Sequence, residues 1–345
     1  MGSVKVFLVD DSVVILGIVG RLLKSKYEIE IVGTARNGRE ALERIPAARP
    51  DVVVLDVEMP ILDGLKTLEE LMQLKRLPVV MLSAHTQAGS RATIDALALG
   101  AVDFVSKPAS AGQLTEMMGE LAEKIRIAAG SRGAVTSPMP PTRTVPIRAI
   151  RAKGRAEAVV IGCSTGGPAA LRSILPFLPK SLAAPVVVVQ HMPKGFTAAL
   201  AEHMDQLCAV EVKHAENGDV LRPGLVLVAP AGLEFGLRRE GNQVKARVQP
   251  STVPLAPGGF RPAVDKVMTA FAQVYGSTAL GVLLTGMGRD GAEGMVAIKQ
   301  SGGRTIAQDQ ESCVVYGMPK AAVDAGAADQ IIPLSEIAGQ ITLLV

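Results

Sequence analysis

Tryptophan is absent from the 345 residues, and cysteine occurs only three times, at Cys163, Cys208 and Cys313. An odd number of cysteines at wide spacing supplies neither a disulfide framework nor a zinc cluster, and fits the reduced thiols of a cytoplasm. Long apolar runs are also missing: no stretch approaches the roughly 20 residues needed to cross a bilayer. The run that follows Lys5 is closed by Asp10 and Asp11, which is too short for a signal peptide. Myristoylation fails because Val6 stands where Ser or Thr is required. The net charge is only +3, spread over many acids and bases, so no chain-wide electrostatics favour nucleic acid. These absences predict a soluble, cytoplasmic protein with no nucleic-acid partner and no membrane insertion.

What is present is small and aliphatic. Nearly half of the residues (48%) are apolar, enough for two cores at roughly 100–200 residues per domain. VKVFLV, IEIVGTA, DVVVLD, PVVML and AVDFV read as strands alternating with helical stretches, and AVVIG, PVVVVQ, LVLVAP, LGVLLTG and RTIAQ begin a second such series. Strands in βα alternation form parallel sheets covered by helices on both faces. The fold class is therefore α/β in two domains, each a mostly parallel doubly wound sheet. The expected limits are 1–126 and 157–345. Residues 127–156, rich in Pro, Gly and Ser and carrying Arg132, Arg143, Arg148, Arg151, Lys153 and Arg155, read as a flexible basic linker. EFGLRREGNQVKARVQ alternates charge around a turn and reads as an antiparallel hairpin on the rim.

In the first domain, Asp10 and Asp11 end the first strand, Asp56 the third and Ser83 the fourth, while Lys107 follows the fifth. In a doubly wound sheet these ends converge on one crevice. Hard carboxylate oxygens suit Mg²⁺, an ammonium and a hydroxyl suit phosphate oxygens, and the central Asp56 suits a phosphoryl acceptor.

Residues 4–126 resemble the bacterial two-component receiver, a flavodoxin-like fold, on DDS, VLDVEMPILDG, Ser83 and SKP. The resemblance implies phosphorylation at Asp56 with Mg²⁺ held by Asp10, Asp11, Asp56 and the carbonyl of Glu58. It further implies a switch through Ser83, Lys107 and Phe104. The helix after DDS reads VVILGIVG, where many receivers carry an arginine.

In the second domain, IGCSTGGPAAL places Ser164 between a buried strand and a helix start, where free N–H groups stabilise an oxyanion. Serine needs a base, and QHMP puts His191 at the same sheet edge; LLTGMGRDGAEG then brings Asp290 to orient the imidazole. The α/β-hydrolase order of serine, acid, histidine fits poorly, since no histidine follows Asp290. Cys163, adjacent to Ser164, faces the other way on leaving the strand and reads as a packed residue. Arg261 and Asp265 in RPAVDK fit either a substrate grip or a structural pair.

From about residue 157 the chain closely resembles the CheB-type chemotaxis methylesterase family, a Rossmann-like α/β esterase domain. The resemblance lies in IGCSTGGPAAL, QHMPKGFTAAL, LVLVAPAG, PGGFRPAVDKVM, LLTGMGRDGAEG and AQDQESCVVYGMP. It implies a catalytic Ser164, His191 and Asp290, with Thr165 and the N–H of Met287 at the oxyanion. It implies hydrolysis of glutamate methyl esters on the cytoplasmic domains of chemoreceptors, deamidation of receptor glutamines, and no cofactor for the hydrolysis. A histidine kinase of the CheA type would be the phosphodonor, and the unphosphorylated receiver would cover the active-site face. The competing class is a docking or DNA-binding output module. The former would tolerate loss of the triad, and the latter needs a basic helical face that is not apparent.

Overall fold

The computed structural model describes residues 3–74, 77–84, 86–108, 110–130, 154–255 and 259–345. The chain divides into two compact units near residue 137.

The first unit runs β1 (Lys5–Val9), α1 (Val13–Tyr27), β2 (Glu30–Ala35), α2 (Gly38–Ala48), β3 (Val52–Asp56), α3 (Gly64–Leu74), β4 (Val79–Ser83), α4 (Gln87–Leu99), β5 (Asp103–Ser106) and α5 (Leu114–Gly130). All five strands pair in parallel, in the order β2-β1-β3-β4-β5. β3 and β4 are buried throughout because helices cover both faces of the sheet, which is why VVVLD and VVMLS are almost wholly apolar. The order reverses between β1 and β3, and their carboxyl ends open the crevice where Asp10 and Asp56 stand. Helix α5 continues to Gly130, past the boundary expected at 126, because Leu121, Ile125 and Ala128 extend one buried stripe at helical spacing. Most of the expected linker, residues 131–153 with Arg132, Arg143, Arg148, Arg151 and Lys153, lies outside the described residues.

The second unit starts with β6 (Ala158–Cys163), α6 (Gly167–Arg172), β7 (Val186–Gln190), α7 (Phe196–Leu207), β8 (Glu211–His214) and β9 (Leu225–Val228). The hairpin β10 (Glu234–Glu240) and β11 (Gln243–Gln249) follows, antiparallel as its charge alternation predicts. The chain then forms α8 (Val264–Tyr275), β12 (Ala279–Leu283), α9 (Ala292–Gln300), β13 (Arg304–Gln308), α10 (Met318–Asp324), β14 (Gln330–Ile332) and α11 (Leu334–Leu344). Seven parallel strands lie in the order β14-β13-β12-β6-β7-β9-β8. Residues from both layers, including Val160, Val187, Leu227, Met268, Phe271 and Met295, form one buried cluster. The first half of the unit winds outward from β6 through β7, and the second half winds the other way through β12. Three carboxyl ends, those of β12, β6 and β7, therefore stand side by side at the switch point. Among the described residues no helix is long and apolar enough to cross a membrane.

Candidate active site and phosphoacceptor pocket

Ser164 leaves the end of β6, His191 the end of β7, and Asp290 the loop after β12; His191 and Asp290 are hydrogen-bonded, and backbone bonds tie the Ser164 and His191 ends to neighbouring strands. The His191 N–H donates to the Cys163 carbonyl at 3.0 Å, and the Ser164 N–H to the Thr285 carbonyl at 3.0 Å. Buried Gln190 binds both neighbouring strand ends: its Nε2 donates to the carbonyls of Ser164 and His191, each at 2.9 Å. The three loops are thereby laced into one rim.

His191 is sealed from solvent, with its side chain 2% exposed. Its Nε2 lies 2.8 Å from Asp290 Oδ2, whereas Nδ1 is buried without a hydrogen-bond partner among the described residues. A buried polar nitrogen with no partner is costly. Phe260 stacks flat on the imidazole, with centroids 4.0 Å apart and planes 7° apart. Asp290 also accepts the backbone N–H groups of Val264 (2.8 Å to Oδ2) and Asp265 (2.8 Å to Oδ1). Burial works against the Asp290 carboxylate, but the contact with His191 and these two donors outweigh it and hold the group below the usual aspartate range.

The other expected residues fall into two groups. Ser164 and Thr165 are buried, and the Thr165 carbonyl accepts from the Thr285 hydroxyl at 3.0 Å. Met287 lies in the loop between β12 and Asp290, and among the described residues nothing accepts from its N–H. Cys163 is fully buried, with its thiol 3.0 Å from Gln190 Oε1; burial pushes that thiol far above the thiolate range, as expected for a packed residue. Arg261 pairs with Glu234 at 2.9 Å and donates to the Val253 carbonyl at 2.8 Å, contacts that fit its structural reading. Sequence reasoning singled out neither Phe260 nor Gln190. Phe260 has no periodicity to mark it, but the glutamine directly before His191 at a strand end was a usable signal.

In the first unit, Lys107 Nζ sits 2.7 Å from Asp56 Oδ2 and 2.9 Å from Asp10 Oδ2. The contact with Asp10 is an ion pair by distance that lacks hydrogen-bond alignment, and Asp10 Oδ2 is a buried atom without a hydrogen-bond partner. Oxygens of Asp10, Asp11 and Asp56 all lie within 4.8 Å of one another. Three carboxylates at this spacing are a donor set that fits a hard divalent cation. Burial, and then the charge of Asp10, push Asp56 up to about 6 against the lowering effect of Lys107. Burial disfavours the Lys107 ammonium, yet the two carboxylates keep it above the usual lysine value. Glu58 is exposed, and its backbone N–H bonds the Asp56 carboxylate. Ser83 stands at the end of β4, but its hydroxyl faces α4: it accepts from Thr93 Oγ1 at 2.6 Å and lies 3.2 Å from the Gly89 carbonyl. Phe104 on β5 is buried, with Lys124 Nζ 5.4 Å from its ring centroid.

Residues 159–341 match the family model described as CheB methylesterase, and residues 6–119 match the response regulator receiver domain. The chain is 48% identical over 343 residues to a protein-glutamate methylesterase/protein-glutamine glutaminase of Carboxydothermus hydrogenoformans, covering 99% of both chains. It is 45% identical to the protein of the same description from Geobacillus kaustophilus, over 100% of this chain and 99% of that one. The crystal structure of the Thermotoga maritima CheB methylesterase catalytic domain is similar with a TM-score of 0.53 and 43% identity, over 55% of this chain and 99% of that one.

Proposed function

This chain belongs to the CheB methylesterase family, and from that membership we propose a phosphorylation-regulated serine esterase that removes methyl groups from glutamate side chains of chemoreceptors and deamidates receptor glutamines. Its receiver domain, expected over 1–126 and carried on by α5, precedes a catalytic domain expected from 157. The observation that carries the reading is the buried imidazole of His191, bound to Asp290 through Nε2 and unpartnered at Nδ1, at the strand end next to that of Ser164.

In this reading Ser164 Oγ attacks the side-chain ester carbonyl while His191 Nδ1 takes the hydroxyl proton. Asp290 holds the tautomer and stabilises the imidazolium. The tetrahedral oxyanion is met by the N–H of Met287 and by Thr165. His191 returns the proton to the leaving methoxide, methanol departs, and an acyl-enzyme remains. Water, deprotonated by His191, then releases glutamate and restores Ser164. With a glutamine the same steps release ammonia, and neither reaction calls for a cofactor.

In the receiver, Asp56 accepts the phosphoryl group and Lys107 neutralises its oxygens. Asp10, Asp11 and Asp56 are the side chains that would hold Mg²⁺, whose charge offsets that of the phosphoryl group when bound. The backbone carbonyl of Glu58 joins them in this proposal. Ser83 must exchange its bond from Thr93 to reach the phosphoryl group, with Phe104 on β5 responding. The phosphodonor is a histidine kinase of the CheA type, and the protein works in the cytoplasm on receptor cytoplasmic domains.

Methanol release from methylated receptor cytoplasmic domains tests this, using wild type and Ser164→Ala, each with and without a small phosphodonor and Mg²⁺. Wild-type release that rises with the donor, with Ser164→Ala silent, is the expected result. Release by Ser164→Ala equal to wild type removes the nucleophile assignment, and release indifferent to the donor removes the regulation.

A further inference from the structure

Helices α8 and α9 both lack a side-chain cap of their own: Ala263 precedes α8 and Gly291 precedes α9. The first free N–H groups of a helix need acceptors from elsewhere. Here each helix draws them from the other's segment. The N–H groups of Val264 and Asp265, at the start of α8, go to the Asp290 carboxylate, as described above. In return Asp265 Oδ1 accepts the N–H of Gly291 at 2.8 Å and that of Gly294 at 2.7 Å, at the start of α9. Close approach makes this exchange possible. A Cβ on Gly294 would sit 2.5 Å from Met268 Cβ and 3.0 Å from the Asp265 carbonyl oxygen, so only glycine lets α9 come this near.

Gly291 is the residue directly after Asp290. The carboxylate of Asp290 is thus held by the backbone of α8, while its own backbone is held by the carboxylate of Asp265. We propose that Asp265 is a positioning residue for the Asp290–His191 couple: it fixes the peptide that aims the orienting carboxylate at His191 Nε2. This assignment rests on the esterase reading above. It also resolves the two readings of Asp265 open in the sequence, since its Oδ1 faces the α9 backbone. Burial, and then the neighbouring Asp290 charge, push Asp265 up to about 6.

The test compares full-length wild type, Asp265→Ala and Asp265→Asn for methanol release, reading kcat and KM separately alongside thermal unfolding. Asn keeps an acceptor for Gly291 and Gly294, whereas Ala has none. Losing that hold should lower kcat about 10- to 100-fold in the Ala variant, with KM within about threefold, as expected for a sub-ångström error in a catalytic group. Asn should recover most of the loss. Should the Ala variant not fold, Asp265→Ser, whose hydroxyl oxygen lies one bond nearer the main chain than Oδ1 and so falls short of Gly291 and Gly294, replaces it under the same criterion. A folded Ala or Ser variant with wild-type kcat overturns the proposal, as does a loss carried by KM or one that Asn fails to restore. If wild type itself releases no methanol, it is the esterase reading that falls.

Discussion

Gly286 offers a severe test of how the nucleophile is held. A Cβ at this position would stand 2.9 Å from Ser164 Cβ, 3.1 Å from the Ser164 nitrogen and 2.2 Å from Met318 Sδ. The loop cannot simply slide away. The Gly286 N–H donates to the Val315 carbonyl at 3.1 Å, and its carbonyl accepts from Gly317 (3.1 Å) and Met318 (2.9 Å). With that backbone pinned and Met318 fully buried, the added methyl must displace both the thioether and the Ser164 turn. Restoring ordinary contact to Ser164 calls for roughly half an ångström of movement, and a full ångström of misplacement costs about 100-fold. Gly286→Ala should therefore lower kcat about 10-fold, leave KM nearly unchanged, and cost about 1–3 kcal/mol of stability through overpacking. Methanol release at saturating methylated receptor domain, paired with thermal unfolding, measures both effects. A folded variant with kcat within about twofold of wild type would refute the claim that this contact sets the position of Ser164.

Two further outcomes are expected. Asp56 is raised in the folded state to about 6, so its contribution to stability is fully present below the unfolded carboxylate value near 4 and is lost as pH rises through about 6. The loss amounts to about 3 kcal/mol at most, and metal-free unfolding of wild type and Asp56→Asn across pH 4–8 should show a flatter profile for the variant; parallel profiles would contradict this. Phe260→Ala removes the ring stacked on His191, an interaction worth about 0.5–1.5 kcal/mol, and should lower kcat about 2- to 10-fold, read from initial rates at saturating substrate.

Much of this was legible because buried parallel strands leave long apolar runs, and glycines or acids mark where they end. Ser164, His191 and Asp290 each follow such a run, so their common sheet edge is legible in the sequence. β8 and β14 were not read as strands. EVKH alternates charge, and QII is only three residues long; both are edge strands that owe their identity to pairing with β9 and β13. Helix α5 runs four residues past the expected limit of 126, to Gly130, because Ala128 continues its buried stripe. Asp265 stayed between two readings because its partners, Gly291 and Gly294, lie far along the chain and are backbone groups that no side-chain pattern announces. The Ser83 hydroxyl could be placed at the end of β4 but not aimed, since its bond with Thr93 depends on how α4 docks.

The lacing by Gln190 has an implication for how the site withstands its surroundings. A carboxamide carries no net charge and does not ionise across the biological pH range. The frame that joins the ends of β6 and β7 is therefore neutral, and charge around it is carried by the ionisable side chains His191, Asp290 and Asp265. Added salt leaves such a frame in place, because screening acts on charges and not on buried amide bonds. Ionic strength acts instead on the charged pairs, such as Lys107 with Asp56, and leaves the joint between the two strand ends unchanged.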